Sequence, residues 1–148
     1  MNDLKETLNL RGDLIFEFKN EATGKIRKYK ERNLVVTVGK NHIADQMAAQ
    51  AQGQMSHMAV GTGTTAAVAG DTTLETELDR NALTSLTNSS NTITYIGDWA
   101  AGDATGAITE AGILNSASAG TLLVRSVFAA KNKGAGDSLT ITWVVTIS

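Results

Sequence analysis

Residues 121–147 read TLLVRSVFAAKNKGAGDSLTITWVVTI, and they contain the two clearest strand patterns of the chain. In residues 138–147, apolar side chains alternate with threonines, which is the period of a strand that buries one face. Residues 121–129 form a second, largely apolar run, and the glycine-containing segment 132–137 separates the two runs. The stretch therefore predicts two strands with a polar turn between them.

Further strand patterns run through much of the remaining chain. They cover residues 33–38 (NLVVTV), 56–60 (SHMAV), 92–99 (TITYIGDW) and 107–114 (AITEAGIL). Short strands separated by polar turns are typical of sandwiches and barrels. The predicted fold class is mainly β: an antiparallel β-sandwich or jelly-roll-like barrel with one short helix and an N-terminal β-hairpin.

The strand phases also predict a hydrophobic core. The side chains on the inward phases of the last three strands are expected to pack together, because apolar residues on one face of a strand share a buried side. These are Ile113, Leu123, Val127, Ile141 and Trp143.

The helix is expected at residues 41–52, where apolar side chains recur at helical spacing. The pattern places Asn41 near the N-terminal cap and ends the helix at Gly53. The apolar positions are Ile43, Met47 and Ala51, with Ala44 and Ala48 beside them.

The predicted hairpin lies in the N-terminal part of the chain. Residues 14–19 (LIFEFK) alternate, residues 20–24 (NEATG) form a turn, and residues 25–30 (KIRKYK) form the second strand. That strand is too charged to be buried on both faces. We therefore interpret it as an edge strand whose lysines discourage unwanted pairing, or as a strand that meets another subunit.

Length and composition limit the function classes. The chain has 148 residues, 14 glycines, no cysteine, no proline and a formal net charge of −2. This length fits one domain. The lack of cysteine excludes disulfides and thiolate metal sites, and the negative charge argues against a general nucleic-acid binder. No apolar run approaches the ~20 residues of a membrane span, and the polar N-terminus does not resemble a secretory signal.

Positive charge is concentrated at the N-terminal end. Residues 1–40 hold nine basic and six acidic side chains, which gives +3. This uneven charge has two interpretations. It reflects two solvated faces of a domain, or it forms a basic end that docks on an acidic partner surface. On the second interpretation the candidate partner-binding residues are Lys25, Arg27, Lys28 and Lys30.

The patterns that resemble catalytic or ligand sites are weak. Gly61-Thr62-Gly63 lacks the following Lys of a phosphate loop and the third glycine of a dinucleotide fingerprint. We interpret these glycines as a tight turn after the strand at 56–60. The two histidines, His42 and His57, have no partner at metal-ligand spacing.

Two groups of carboxylates have an ordinary structural interpretation. Asp98, Asp103 and Glu110 have the residue type of a glycosidase pair, but the sequence does not set their separation. The other group, after residue 70, does not match a calcium-loop spacing. We interpret it as the solvated face of a helical turn capped by Asp71, with Arg80 paired to Glu77 or Glu75. It consists of Asp71, Glu75, Glu77 and Asp79. No catalytic residue, cofactor-binding residue or metal ligand is assigned.

Several short segments occur in a distinctive order. They are NLVVTVG (33–39), MAVGTGTT (58–65), DTTLETE (71–77) with Arg80, ITEAGILN (108–115), GTLL (120–123) and LTITW (139–143). This order resembles a widespread group of small structural proteins of tailed bacteriophages, described as capsid decoration (cement), head-fibre or tail-fibre-like proteins. The resemblance covers residues 33–148.

The resemblance implies a β-rich, multimeric virion component without enzymatic activity or cofactor, made in the host cytoplasm. The first expectation is a capsid decoration protein that binds and stabilises the assembled shell. The alternative is a tail-fibre, head-fibre or baseplate module that contacts the host surface. Expected partners are further copies of the chain, as a dimer or trimer, and the major capsid protein or another virion protein. No nucleic-acid or membrane partner is expected.

The resemblance also suggests a division of the chain. Residues 1–32 lie outside it and are predicted to be an N-terminal arm and hairpin that docks to the partner. Residues 33–148 are predicted to be a β-sandwich assembly domain that folds without them.

Overall fold

The computed structural model describes residues 4–50 and 52–148, and it confirms the predicted fold class. Two antiparallel five-stranded sheets pack face to face, with one short helix at the side of the second sheet. In the part of the chain described, no helix is both long enough and apolar enough to cross a membrane.

The first sheet joins the N-terminal hairpin to the C-terminal strand. In spatial order its strands are β2 (Ile26–Arg32), β1 (Leu10–Asn20), β10 (Asp137–Ile147), β7 (Thr92–Trp99) and β6 (Ser85–Ser89). β1 pairs with β10 along its whole length, from Leu10 opposite Ile147 to Asn20 opposite Asp137. The hairpin prediction is confirmed, and β2 is an edge strand as expected.

The second sheet is built from the middle of the chain. In spatial order its strands are β3 (Leu34–Val35), β9 (Leu122–Lys133), β8 (Gly106–Leu114), β4 (His57–Gly61) and β5 (Glu77–Ala82). β8 and β9 form the central pair, and their register is irregular near Leu123 and near Thr109. At such irregularities one strand carries residues that have no partner opposite them. An extra residue of this kind changes which side chains beyond it face the core.

The core lies between the two sheets and contains most of the predicted set. Trp143 and Ile141 are fully buried in it, and the indole Nε1 of Trp143 donates a hydrogen bond to Asn33 Oδ1 at 2.7 Å. Ile113 and Leu123 also belong to this core. Val127 was predicted wrongly: it is half-buried and outside the cluster, and Phe128 is inside. The irregular register of β9 accounts for the change of phase.

The outer face of the second sheet is covered by a second, smaller apolar cluster. Its members come from the start of the helix, the loop after β4 and the outward phases of the strands: Val36, Ala59, Leu74, Leu114 and Leu122. The sheet is therefore buried on both faces, which explains the near-continuous burial of β8.

The helix and the strand before it differ from the prediction. α1 (Thr37–Met47) begins four residues before the predicted start, so the strand expected at residues 33–38 ends at Val35. The helix also ends five residues before the predicted end at residue 52, so Gly53 does not terminate it, and Ala51 lies outside the described residues. Val36, not Asn41, is the N-cap residue. A Cβ atom on Gly39 would overlap the Leu123 carbonyl, so glycine at this position lets the first turn of the helix lie directly on β9.

The predicted helical turn after Asp71 is also wrong. Residues 62–76 contain no helix, and Glu77 and Asp79 lie on strand β5. The reason is tertiary: Leu74 is buried against the second sheet. The expected pairing of Arg80 with Glu77 is present, at 2.6 Å, but along a strand.

The structure does not separate residues 4–32 from the rest of the sandwich. β1 is an interior strand, and its Leu14, Phe16 and Phe18 are buried in the main core. The proposed boundary at residue 32 therefore falls inside one continuous packing unit.

Candidate functional site

Three of the four candidate partner-binding residues project from the surface beside the edge strand β2. Lys25, Lys28 and Lys30 are all exposed. Lys28 lies 3.6 Å from Glu17 on β1, in an ion pair whose two side chains are largely in water. Such a pair contributes little to stability. These three lysines form what we call the basic surface.

Arg27, the fourth candidate, is engaged inside the molecule. Its Nη2 donates to the Asn132 carbonyl at 2.9 Å and lies 3.2 Å from Asp137 Oδ2. Its guanidinium also stacks over the Phe18 ring, 5.0 Å from the ring centre. Arg27 therefore fastens the hairpin to the β9–β10 turn, and its role toward a partner stays a prediction.

Apolar side chains adjoin the basic surface. Ile26 and Ile15 are 48% and 37% exposed on β2 and β1. Because side chains two residues apart share a strand face, Ile26, Lys28 and Lys30 lie on the same side of the sheet. This combination of cations and small apolar patches can bind an acidic protein surface.

The back of β2 is held to β9 by an aromatic cluster around Lys131. The Lys131 ammonium is buried, pairs with Glu31 at 2.8 Å, and lies about 5 Å from the rings of Phe16, Tyr29 and Phe128. A cation over aromatic faces is stabilised by their quadrupoles, more so when water is excluded. This cluster keeps the strand that carries the basic surface in a fixed position.

The most extensive polar network lies elsewhere, at Glu110 on β8. Its carboxylate is fully buried and accepts hydrogen bonds from the backbone amides of Gly63, Glu75 and Thr76, at 2.7–3.0 Å. Arg125 of β9, 2% exposed, donates to it through Nε at 3.0 Å. The pair ties both ends of the loop at residues 62–76 to the second sheet.

Arg125 extends this network to the tip of the loop. It donates to Asp71 Oδ2 at 2.8 Å and to the Thr65 carbonyl at 3.1 Å. Burial works to lower the pKa of Arg125, but its hydrogen bonds to Asp71 and Glu110 and their charges outweigh this and raise it. Arg125 therefore remains a cation, and its hydrogen bonds to Glu110, Asp71 and Thr65 join the sheet to the loop.

The acidic residues of the loop are stabilised as carboxylates. Burial works to raise the pKa of Asp71, but hydrogen bonds from the Val68 amide and from Arg125 hold it below its ordinary value. The side chain of Thr65 and the backbone amide of Thr64 lower the pKa of Glu75.

The network also explains the glycines that superficially resemble a phosphate loop. Side chains at Gly61 or Gly63 would overlap the Glu110 carboxylate, and at Gly61 also the Thr76 carbonyl. These glycines let the loop approach the buried carboxylate closely. They do not need positive φ values.

Sequence reasoning considered Glu110 only as a member of a carboxylate set and did not identify Arg125. The available signal was a charged residue within each of two otherwise apolar strand patterns, AITEAGIL and TLLVRSVFA. Charges at such positions are seldom buried unless paired. The pairing itself joins residues fifteen positions apart and was not visible locally.

The other candidate residues have separate surroundings. Asp98 accepts hydrogen bonds from Thr84 and Thr140, away from the Glu110 network. His57 Nδ1 lies 2.7 Å from Ser56 Oγ. Among residues 4–50 and 52–148, no group of three or more His, Asp or Glu side chains is arranged to hold a metal ion.

His42 is a buried histidine of α1. Its Nε2 lies 3.4 Å from Gln46 Nε2, and its Nδ1 has no hydrogen-bond partner among the described residues. Gln46 Nε2 also donates to the Gln52 carbonyl at 2.6 Å, which assigns this atom as a donor and His42 Nε2 as the acceptor. Burial lowers the pKa of His42, and the charge of Asp45 offsets part of the shift. The lowered pKa favours the neutral form of the imidazole.

Comparison of the chain with protein-family models, with curated proteins and with solved structures found no match in any of the three.

Proposed function

We propose that this protein is a non-enzymatic structural component of a tailed-bacteriophage virion, and specifically a capsid decoration protein that binds the assembled shell. The observation that carries the proposal is the basic surface on a rigidly held edge strand. The resemblance of residues 33–148 to small phage structural proteins supports it.

The segments that carry this resemblance have a structural role in the molecule. MAVGTGTT, DTTLETE and ITEAGILN, which are far apart in the chain, meet around the Glu110 carboxylate. Their glycines and carboxylates hold a loop on a sheet. Such use of these residues fits a protein whose task is to keep one shape in a repeated assembly.

The basic surface supplies the docking chemistry. Lys25, Lys28 and Lys30 extend into water, while Arg27 and the Lys131 cluster fix the strand beneath them. Exposed charges at the rim of an interface steer association and make it salt-dependent. The partner surface on the shell is accordingly acidic.

The test is binding of the purified protein to shells that lack it. Lys28→Ser with Lys30→Ser should weaken binding most at low salt, because electrostatic steering is screened at high salt. The matched control is Lys5→Ser with Lys40→Ser, which removes the same charge elsewhere and should bind like the parent. Equal binding by both variants would remove the basic surface from the proposal.

The same purified protein also tests the alternative location on the virion. A tail-fibre, head-fibre or baseplate module would bind tails or host cells and leave shells bare. That result would overturn the capsid placement and support the alternative. Binding to no virion part would overturn both.

A further inference from the structure

An apolar cleft of about 640 Å³ opens at one end of the sandwich, between the strand ends of the first sheet and α1. Leu10, Ile93 and Val145 line its sheet side, and Ile43 and Met47 line its helix side. The lining contains no Asp, Glu, Lys or Arg. Its volume is in the range of sites that hold an apolar occupant.

The rim of this cleft leaves large apolar side chains in water. Met47 is 83% exposed and Leu86 of β6 is 37% exposed. Met47, one of the apolar positions predicted for the helix, lies along the cleft with Ile43. Exposed apolar patches are a feature of interaction sites on protein surfaces.

The chain itself offers a matching segment. Residues 4–9, the N-terminal arm, read LKETLN, and Leu4 and Leu8 are 96% and 67% exposed. The arm has neither helix nor strand, and both leucine side chains extend into water. The arm thus has uncovered apolar side chains of its own.

The arm starts beside the cleft but does not fill it in the same chain, where Leu8 instead borders a neighbouring depression with Ile43 and Met47. Asn9 is tied to Ser148 by two backbone hydrogen bonds, at 2.6 and 2.8 Å, and the next residues along each strand, Leu10 and Ile147, line the cleft. Residues 4–8 contain no glycine to reverse the chain. Leu4, almost wholly in water, is not packed on its own molecule.

We propose that the N-terminal arm of one copy binds in the apolar cleft of a second copy, and that the exchange is reciprocal. Because arm and cleft lie at the same end of the molecule, two copies placed end to end around a two-fold axis fill both clefts with both arms. Leu4 and Leu8 then cover Met47 and Leu86 of the partner copy. This interface does not depend on the proposed virion function.

The absence of cysteine from the chain allows a direct test by cross-linking. A chain with Leu4→Cys is mixed at high concentration with a differently tagged chain with Leu86→Cys and oxidised. A disulfide-linked heterodimer is expected in clear excess over a control mixture of Leu4→Cys with Ala101→Cys. Ala101 is exposed and follows β7 at the opposite end of the sandwich.

Sedimentation of the full chain gives the second measurement. Leu4→Ser with Leu8→Ser, and separately Met47→Ser with Leu86→Ser, should shift the protein from dimer to monomer. Lys5→Ser with Glu6→Ser, in the same arm, should remain dimeric. Far-ultraviolet circular dichroism and the urea midpoint check that the variants are folded, as expected for exposed positions.

The following results would overturn the proposal. One is an equal cross-linking yield for the Leu86→Cys and Ala101→Cys mixtures. Another is a disulfide that forms only within a single chain carrying both Leu4→Cys and Leu86→Cys, since the arm would then cover its own cleft. The third is a parent chain that is monomeric at high concentration, and the fourth is a folded Leu4→Ser, Leu8→Ser variant that stays dimeric.

Discussion

Glu110 and Arg125 are buried charged residues whose side chains hold a loop that lacks regular secondary structure. The loop at residues 62–76 has few backbone partners of its own, and the Glu110 carboxylate satisfies three of its amides. A charge taken out of water is tolerated when its hydrogen-bonding capacity is filled. Here the backbone amides that donate to the Glu110 carboxylate belong to the loop, so the loop and the ion pair stabilise each other.

We predict that breaking this pair is strongly destabilising. Arg125→Met alone should lower the free energy of unfolding by about 3–5 kcal/mol, since it leaves the Glu110 carboxylate buried without a cation. Glu110→Gln should cost less than Arg125→Met, because Arg125 keeps its ion pair with Asp71. The double variant should lose less than the sum of the two, measured by urea unfolding as a double-mutant cycle. Additive losses would show that the two residues act independently.

The second prediction at the residue scale concerns Trp143 and the stability that its burial contributes. Trp143→Ala should cost about 3–5 kcal/mol, the usual range for a buried large aromatic. It removes a fully buried ring and the donor to Asn33 Oδ1. Val127→Ala, half-buried and outside the main cluster, is the control and should cost clearly less. Equal urea midpoints for the two variants would contradict the burial of Trp143 on β10 or the position of Val127 outside the core on β9.

His42 predicts a pH dependence of stability. Its pKa in the folded chain lies below its ordinary value of 6.5, so the unfolded chain binds more protons in the interval between the two values. Stability therefore rises with pH through that interval, is complete above pH 6.5, and is lost as pH falls below it. His42→Gln should flatten this part of the unfolding-midpoint profile. A parent profile that is already flat there would contradict the prediction.

At the scale of elements, β2 is joined to the second sheet by side chains and not by a backbone ladder. Ser126 Oγ donates to the Arg32 carbonyl, Lys131 pairs with Glu31, and Arg27 reaches the β9–β10 turn. An edge strand held in this way remains close to the sandwich and keeps its outer face free. The basic surface therefore has a defined position before any partner binds.

Lys131 is the residue that tests this arrangement. Lys131→Ala should destabilise the protein by about 1–3 kcal/mol, because it removes a desolvated cation–aromatic contact, an ion pair and the packing of the aliphatic stem. Lys28→Ala, which removes an exposed lysine of the same hairpin, should change the free energy of unfolding by less than about 0.5 kcal/mol. Hydrogen exchange should show faster opening of β2 amides in Lys131→Ala only. Unchanged exchange would mean that the aromatic cluster does not hold the strand.

At the scale of the whole molecule, the two sheets depend on the N-terminal residues. The sequence suggested that residues 33–148 fold alone, but β1 is paired with β10 along its whole length and supplies Leu14, Phe16 and Phe18 to the core. Its removal would expose one edge of β10 and the core beneath it. The hairpin is therefore both a structural strand pair and the carrier of the basic surface.

Truncation of the chain tests whether the N-terminal hairpin is a separate docking arm or part of the sandwich. We expect the chain without residues 1–32 to be unfolded or aggregated, and the chain without residues 1–8 to keep its sandwich, since β1 begins at Leu10. Circular dichroism and urea unfolding of both truncations provide the measurement. A cooperative, β-rich residue 33–148 fragment would restore the two-part division.

Local patterns in the sequence were sufficient to predict the strands that bury one continuous face. β1, β7 and β10 were predicted because alternation of apolar and polar side chains needs no knowledge of the partner strand. The edge position of β2 followed from its lysines in the same way. β5 and β6, which read ELDRNA and SLTNS, have no apolar alternation and form through pairing with β4 and β7.

Only the tertiary structure decided the features that join distant parts of the chain. The packing of α1 on β9 depends on the approach of Gly39 to Leu123, and the loop at residues 62–76 depends on Glu110 and Arg125. The cleft that exposes Met47 exists because the sheet ends and the helix do not meet. The physical reason is common to all three: burial and hydrogen bonding there are satisfied by residues far apart in sequence, so no local period records them.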